Sequence, residues 1–326
     1  MINRKARYTT VFACALAVLL AGCGMANNTS TNQTTSTGTS QAKNTAQFPI
    51  TLTDDAGDKV TVQKQPQHIA SGTEGTDEIL ASLVPKSRIA LVTNLSSDPT
   101  YSNVANLVKG IPQMSKADSE KILSTNPDLV LLASYVTPGV VKQVRDAGVP
   151  VYEFDDFTSV QSIEKNIKVI GKLVGATAKA NAIVTNMNDN MQKLKNAVKG
   201  QKPVTVLDYS SYGFAAGKNT TTNDEITMAG GVNVAANLDG WKQITDEEIV
   251  KMNPDVIIDA TDDKGFLQKL QNKADLQSVS AIRNHRLYAI PDADLSSVSQ
   301  YVVQGGVDLA KVFYPKASIP DIQVMQ

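Results

Sequence analysis

The sequence predicts an α/β protein built as two Rossmann-like lobes with parallel sheets, joined by one long connector helix. Three observations carry that expectation. Short apolar strands alternate with stretches of helical spacing in two successive sets, the pattern of a parallel, helix-covered sheet. A helix-to-strand segment is duplicated: Asp118 to Leu131 and Thr245 to Ile258 both run through Asn-Pro-Asp into an apolar strand. Between the two sets, Ser162 to Lys199 places Ile163, Ile167, Ile170, Val174, Ile183, Val184, Met187, Met191, Leu194 and Val198 at helical intervals, with Gly171 and Gly175 as break points.

Taken in order, the chain opens with Arg4, Lys5 and Arg7 ahead of an uncharged run from Val11 to Leu20. That run is too short to span a bilayer as a mature helix. A basic segment before a short apolar one reads as a signal peptide, here residues 1–22. Leu20, Ala21, Gly22 and Cys23 resemble the lipobox of bacterial lipoproteins, which implies a lipid on Cys23 and removal of everything before it. Cys14 then leaves with the signal, so the mature chain holds no cysteine pair for an internal disulfide. Residues 23–47 are rich in Ser, Thr, Asn and Gln and too poor in apolar side chains to form a core, so they read as a flexible tether. The expected location is the outer face of a cell membrane, lipid-anchored.

A hairpin is expected over Thr51–Val62, turning at Asp/Gly. The first lobe, residues 48–158, then carries strands at His68–Ser71, Ile89–Thr93, Leu129–Ala133 and Val149–Phe154. Helices are expected over Thr76–Leu83, Asp118–Ser124 and Pro138–Ala147. Residues 159–200 form the helical connector, which implies a stiff hinge. The second lobe, residues 201–326, carries strands at Pro203–Tyr209, Val256–Ala260 and Arg286–Ile290. In the duplicated segment Asp118 and Thr245 are the N-caps, and Glu120 and Glu247 fall in the first turn of each helix.

At this repeat the sequence resembles the helical-backbone substrate-binding proteins of ABC importers for iron complexes and vitamin B12, the class III periplasmic binding proteins. The resemblance runs from Phe48 to Pro315. It includes Thr76 to Leu80, Asn126 to Val130, Ala147 to Val151, Ala229 to Asn233 and Ile282 to Pro291. It implies capture of a small-molecule metal complex between the lobes and delivery to an ABC permease, whose arginines would meet Glu120 and Glu247. An iron(III) complex of siderophore type is expected first and a corrinoid second. The protein is expected to act as a monomer and to carry no cofactor of its own. In open α/β sheets ligands sit at the carboxyl ends of the strands. The first-lobe contacts expected on that basis are Thr73, Glu74, Asp98, Tyr101, Ser134 and Tyr135. In the second lobe they are Tyr209, Tyr212, Phe214, Lys218, Trp241 and Asp262, and the resemblance favours Trp241 as an aromatic that packs on the ligand.

Composition narrows the alternatives. The chain has 31 basic and 32 acidic residues, and loss of the signal removes three basic ones, so nothing draws it to nucleic acid. Two histidines, His68 and His285, are too few and poorly placed for direct metal capture. Asp54-Asp55, Asp155-Asp156 and Asp262-Asp263 read as turn and cap chemistry. There is no Gly-x-Ser-x-Gly elbow, no His-Glu-x-x-His and no phosphate loop, so an extracellular enzyme is not expected. A surface receptor without a transporter is the other alternative, in which Glu120 and Glu247 have no partner. Only Arg88, Arg145, Arg283 and Arg286 remain in the mature chain, a thin supply of cations for an anionic chelate.

Overall fold

The computed structural model describes residues 47–260 and 265–326; Cys23, most of the tether and Asp262 lie outside the described residues. The hairpin forms from β1 (Ile50–Thr53) and β2 (Lys59–Val62), antiparallel as expected. The first lobe contains β3 (Ile69–Ser71), α1 (Glu74–Leu83), β4 (Ile89–Thr93), α2 (Ala105–Val108), β5 (Gln113–Met114), α3 (Ser119–Ser124), β6 (Leu129–Ala133), α4 (Pro138–Asp146) and β7 (Val151–Phe154). Its sheet is parallel throughout, in the order β5-β4-β3-β6-β7. The strand order therefore reverses between β3 and β6. Leu129 to Ala133 are all buried, as a continuous apolar run covered on both faces should be.

Residues 159–200, expected as one helical stretch, are two helices, α5 (Val160–Leu173) and α6 (Thr177–Ala197). The break falls at Gly175, which holds φ +72°. Gly171 matters differently: a Cβ there would lie 2.3 Å from the Ala180 Cβ, so its missing side chain is what lets the two helices pack closely. α5 buries Ile163, Ile167, Ile170 and Leu173 in the first-lobe core. The crossing between lobes is made by α6, with Ile183, Val184 and Met187 in the first core and Leu194 in the second.

The second lobe follows with β8 (Thr205–Asp208), β9 (Phe214–Ala216), α7 (Thr221–Met228), β10 (Val232–Asn233), β11 (Trp241–Gln243), α8 (Asp246–Met252), β12 (Val256–Ala260), α9 (Phe266–Gln271), α10 (Ser280–Arg283), β13 (Leu287–Ile290), α11 (Asp292–Leu295) and α12 (Val302–Phe313). Its parallel sheet has the order β10-β8-β12-β13, and β9 pairs with β11 apart from it. A second bridge between the lobes was not foreseen. α12 starts in the first-lobe core at Val302 and Val303 and continues into the second at Val307, Leu309 and Phe313. The C-terminal tail then lies along α6, where Asn190 donates to the Gln323 carbonyl and the Met325 N–H donates to Asn186 Oδ1.

The duplicated segment is duplicated in geometry. Asp118 caps α3 by accepting from the Lys121 N–H, and Thr245 with Glu248 makes a capping box on α8. Asn126 and Asn253 both turn left-handed, at φ 48° and 45°, ending each helix before its proline. The aspartate that follows stitches the sheet: Asp128 accepts from the Gln67 and His68 N–H groups ahead of β3, and Asp255 from the Thr205 N–H opening β8.

Candidate ligand-binding site

The carboxyl ends of both sheets face one cleft, and each sheet reverses its strand order there, β3 against β6 and β8 against β12. On the first lobe a cavity of about 340 Å³ is lined by Thr73, Glu74, Tyr101, Tyr135 and Phe157. On the second, one of about 430 Å³ is lined by Asp208, Ser210, Tyr212, Thr222, Trp241 and Asp259. Both are also lined by Asp292 and Ser296 of the α11 region, so the two meet on the floor of the cleft.

Local structure explains how the side chains are presented. Thr73 is the N-cap of α1, its Oγ1 accepting from the Thr76 N–H, which fixes Glu74 as the first helical residue at the cleft. Tyr135 follows β6 and is 76 % exposed, and Tyr212 lies in the β8–β9 loop, 83 % exposed. Trp241 opens β11 opposite Ala216 of β9 and is 50 % exposed. Large aromatics left this open on the walls of a cavity are surfaces for a ligand to cover.

Thr73, Glu74, Tyr101, Tyr135, Tyr212 and Trp241 are thus brought together. Tyr209 is not: it is buried in the second-lobe core with its ring 5.7 Å from that of Phe266. Phe214 pairs with Gln243 inside the β9–β11 ribbon, and Lys218 is exposed, bridging to Asp239; neither lines the cavities. Asp98 turns its carboxylate onto the Thr100 N–H, and Ser134 hydrogen-bonds Asp155. Glu120 and Glu247 are exposed in the first turns of α3 and α8, away from the cavities. Of the acidic pairs expected to serve turns, Asp54 accepts from the Asp58 N–H at 2.8 Å, and Asp54, Asp58 and Glu153 all pair with Arg145.

Sequence reasoning missed Asp208, Asp259 and Asp292. The signal for the first two was present: each is a lone carboxylate at or next to the carboxyl end of a strand, directly after a run of Val, Leu or Ile, and burial there has to be explained by function or by a partner. With Glu74 they are the carboxyls that line these two cavities, and among the described residues no Lys or Arg lines them.

More carboxyls lie behind. Burial, then Glu78 and Asp77, pushes the Glu74 carboxyl well above its ordinary value. Burial, then Asp259, does the same to Asp208. Glu225 of α7 is fully buried and also strongly raised, first by burial and then by Asp208. Asp77 accepts from the Thr93 N–H at 2.8 Å and Oγ1 at 2.6 Å, yet desolvation still lifts it to about 7. Asp294 is lifted to about 7 by burial and by Asp308.

The sign of the consequence is fixed by linkage. The unfolded chain releases the Asp77 proton near pH 3.8 and the folded one near 7, so stability is fully present below the lower value and is lost as pH rises through 7. Between pH 5.5 and 7.5 Asp77 alone accounts for about 2 kcal/mol. The melting temperature is expected to be about 4–8 °C higher at pH 5.5 than at pH 7.5, by scanning calorimetry. A melting temperature that falls on acidification over this range contradicts the buried-acid assignment.

Among the described residues no helix is long and apolar enough to cross a membrane. The periplasmic binding protein family profile matches residues 69–293. An uncharacterized ABC transporter substrate-binding lipoprotein of Bacillus subtilis, YvrC, is 30 % identical over 309 residues, covering 92 % of this chain and 94 % of the relative. A cobalamin-binding protein of Halobacterium salinarum is 27 % identical over 216 residues, 65 % of this chain and 58 % of the relative. Among solved structures, a possible iron-binding protein of Staphylococcus epidermidis superposes with TM-score 0.68 at 25 % identity, covering 77 % of this chain and all of that one. The molybdate-bound MolA of Haemophilus influenzae superposes with TM-score 0.69 at 20 % identity, over 82 % and 92 % of the two chains, and shares the fold alone. Matched over most of its length by both the profile and a full-length relative, the chain belongs to the periplasmic binding protein family.

Proposed function

We propose that this protein is the lipid-anchored substrate-binding component of an ABC importer, and that it captures an uncharged or cationic metal complex dense in hydrogen-bond donors, a corrinoid above all. One observation carries the choice of ligand. The cleft lining is acidic and hydroxylic, with aromatic walls and, among the described residues, no basic side chain. An anionic chelate entering it would be desolvated without a counter-charge and set against carboxyls. A corrinoid brings a broad apolar face for Tyr135, Tyr212 and Trp241 and a rim of carboxamides for the acids and hydroxyls.

The second candidate is an iron(III) complex of siderophore type, supported by the likeness to the possible iron-binding protein of Staphylococcus epidermidis at 25 % identity. The same electrostatics restrict that class to neutral or cationic ferric hydroxamates. In either case the lipid on Cys23 holds the protein at the membrane, and Glu120 and Glu247 meet the permease. Release then works against two bridging helices, α6 and α12, which favours small lobe movements over wide opening.

Trp241 is the chain's one tryptophan and lines the cleft, so its fluorescence reports binding directly. Titrations with cyanocobalamin, a neutral ferric hydroxamate, ferric citrate, a ferric catecholate, haem and molybdate are expected to give submicromolar binding for the corrinoid and none for the anions. Tight binding confined to an anionic complex refutes the proposal. Trp241→Ala is expected to weaken corrinoid binding about 3- to 10-fold by calorimetry, the scale of one lost aromatic contact.

A further inference from the structure

β8 and β12 are the strands between which the second-lobe sheet reverses its order, and Asp208 is the last residue of β8. Asp208 is 3 % exposed yet lines the second-lobe cavity. Its register partner, Ile258, faces the core, so the sheet presses Asp208 inward while the end of the strand leaves it open to the cleft. Among the described residues its carboxyl accepts no hydrogen bond and forms no ion pair, and what surrounds it electrostatically is another acid. A carboxyl buried without a partner is costly, and native proteins rarely keep one that nothing completes.

We propose that Asp208 is a specificity-determining residue of the cleft and recognises a primary carboxamide on the ligand through a two-point pair, its O–H meeting the amide carbonyl and its other oxygen accepting an amide N–H. This rests on the donor-rich, uncharged ligand proposed above and names the group on it that is read.

The chemistry selects that group. Burial and the neighbouring Asp259 hold the Asp208 carboxyl well above the usual carboxylate range, which favours its neutral form. A neutral acid offers one donor and one acceptor side by side, and a carboxamide offers the complementary pair. A phosphate or carboxylate presents acceptors alone and would leave the second Asp208 oxygen unmet. Ser210 and Thr222 line the same cavity and supply hydroxyl oxygens for the second amide N–H. Among the described residues the titratable groups around Asp208 are Asp259 from β12, Glu225 from α7, Asp292 from α11 and Tyr212 from the β8–β9 loop. None of them supplies a positive charge that would ionise it.

The test is calorimetric titration of cyanocobalamin into the wild-type protein, Asp208→Asn and Asp208→Ala. Asparagine keeps a donor and an acceptor in the same shape, so its affinity is expected within about threefold of wild type. Alanine is expected to bind about 10- to 100-fold more weakly. Wild-type affinity should fall as rising pH ionises Asp208, a fall that Asp208→Asn lacks. Because the side chain makes no hydrogen bond among the described residues, both variants are expected to melt at or above the wild-type temperature. Wild-type affinity in Asp208→Ala, equal losses in the two variants, or clear destabilisation of both overturns the contact while leaving corrinoid capture standing. Failure of the wild-type protein to bind cyanocobalamin overturns the capture proposal and this contact together.

Discussion

Reversing both docking charges, Glu120→Arg with Glu247→Arg, is expected to reduce ligand uptake by cells to below about 5 % of wild type while leaving ligand affinity within about twofold. The two carboxylates are exposed and sit one on each lobe, in the first turns of helices that start from firm caps: the Asp118 side chain on α3, the Thr245–Glu248 capping box on α8. A backbone hydrogen bond at the helix start holds the Glu247 carboxyl below its ordinary value, which favours its charged form. In the proposed permease contact two like charges, fixed one on each lobe, set a spacing for a basic partner, so reversing them would replace attraction by repulsion at both points. Like-charge juxtaposition across an interface costs several kcal/mol. Single reversals should give intermediate uptake. Acidic residues also favour helix starts for their own sake, through the macrodipole. Uptake that survives the double reversal would leave only that local role, and lost ligand affinity would move the pair into the binding site.

The largest expected effect on stability is Glu78→Ala, about 3 kcal/mol or more. Glu78, on α1, is wholly buried. Its carboxyl accepts from the Asn103 N–H at 2.7 Å, from Ser102 Oγ at 3.0 Å, from Ser297 Oγ at 3.3 Å and from Ser299 Oγ. Ser297 and Ser299 lie just ahead of α12, so this one side chain ties the first-lobe helix beside the cleft to the element that bridges both cores. Alanine would leave a void and several donors without an acceptor, and only the hydroxyls can turn elsewhere. Burial raises the Glu78 carboxyl, which offsets part of what the four bonds contribute. Glu78→Gln keeps one acceptor oxygen and is expected to lose less than half as much. Urea unfolding should show the midpoint falling with an unchanged slope, and a loss under 1 kcal/mol would show that the network is dispensable.

Much of the frame was legible because it is written in local chemistry. Val256–Ala260 and Leu129–Ala133 are apolar runs bounded by turn signals, and both strands form at those residues. Asp118 and Thr245 are capping residues at the head of helical periods, and both cap. The duplicated Asn-Pro-Asp stops two helices in the same left-handed turn. The connector was legible in period but not in shape, since a helical repeat runs undisturbed through a turn like that at Gly175 when both halves bury the same kind of face. α12 as a second bridge was hidden because its apolar stripe does not say which of two cores each turn enters.

What the sequence by itself determined is therefore the α/β class, the two sets of strands and helices, the capped acidic pair and the aromatics at strand ends. Only the tertiary structure decided which neighbours face the ligand. Tyr209 and Asp208 are adjacent and lie on opposite faces, so the tyrosine enters the core against Phe266 while the carboxyl, at the end of β8 on the other face, lines the cavity. Side chains alternate faces along a strand, so an end uncertain by one residue exchanges a core residue for a contact. Asp292, more than eighty positions away, completes the same cavity because the fold returns the chain there. Whether these acids carry charge is likewise decided by burial and by one another, properties that exist only once the lobes have closed over them.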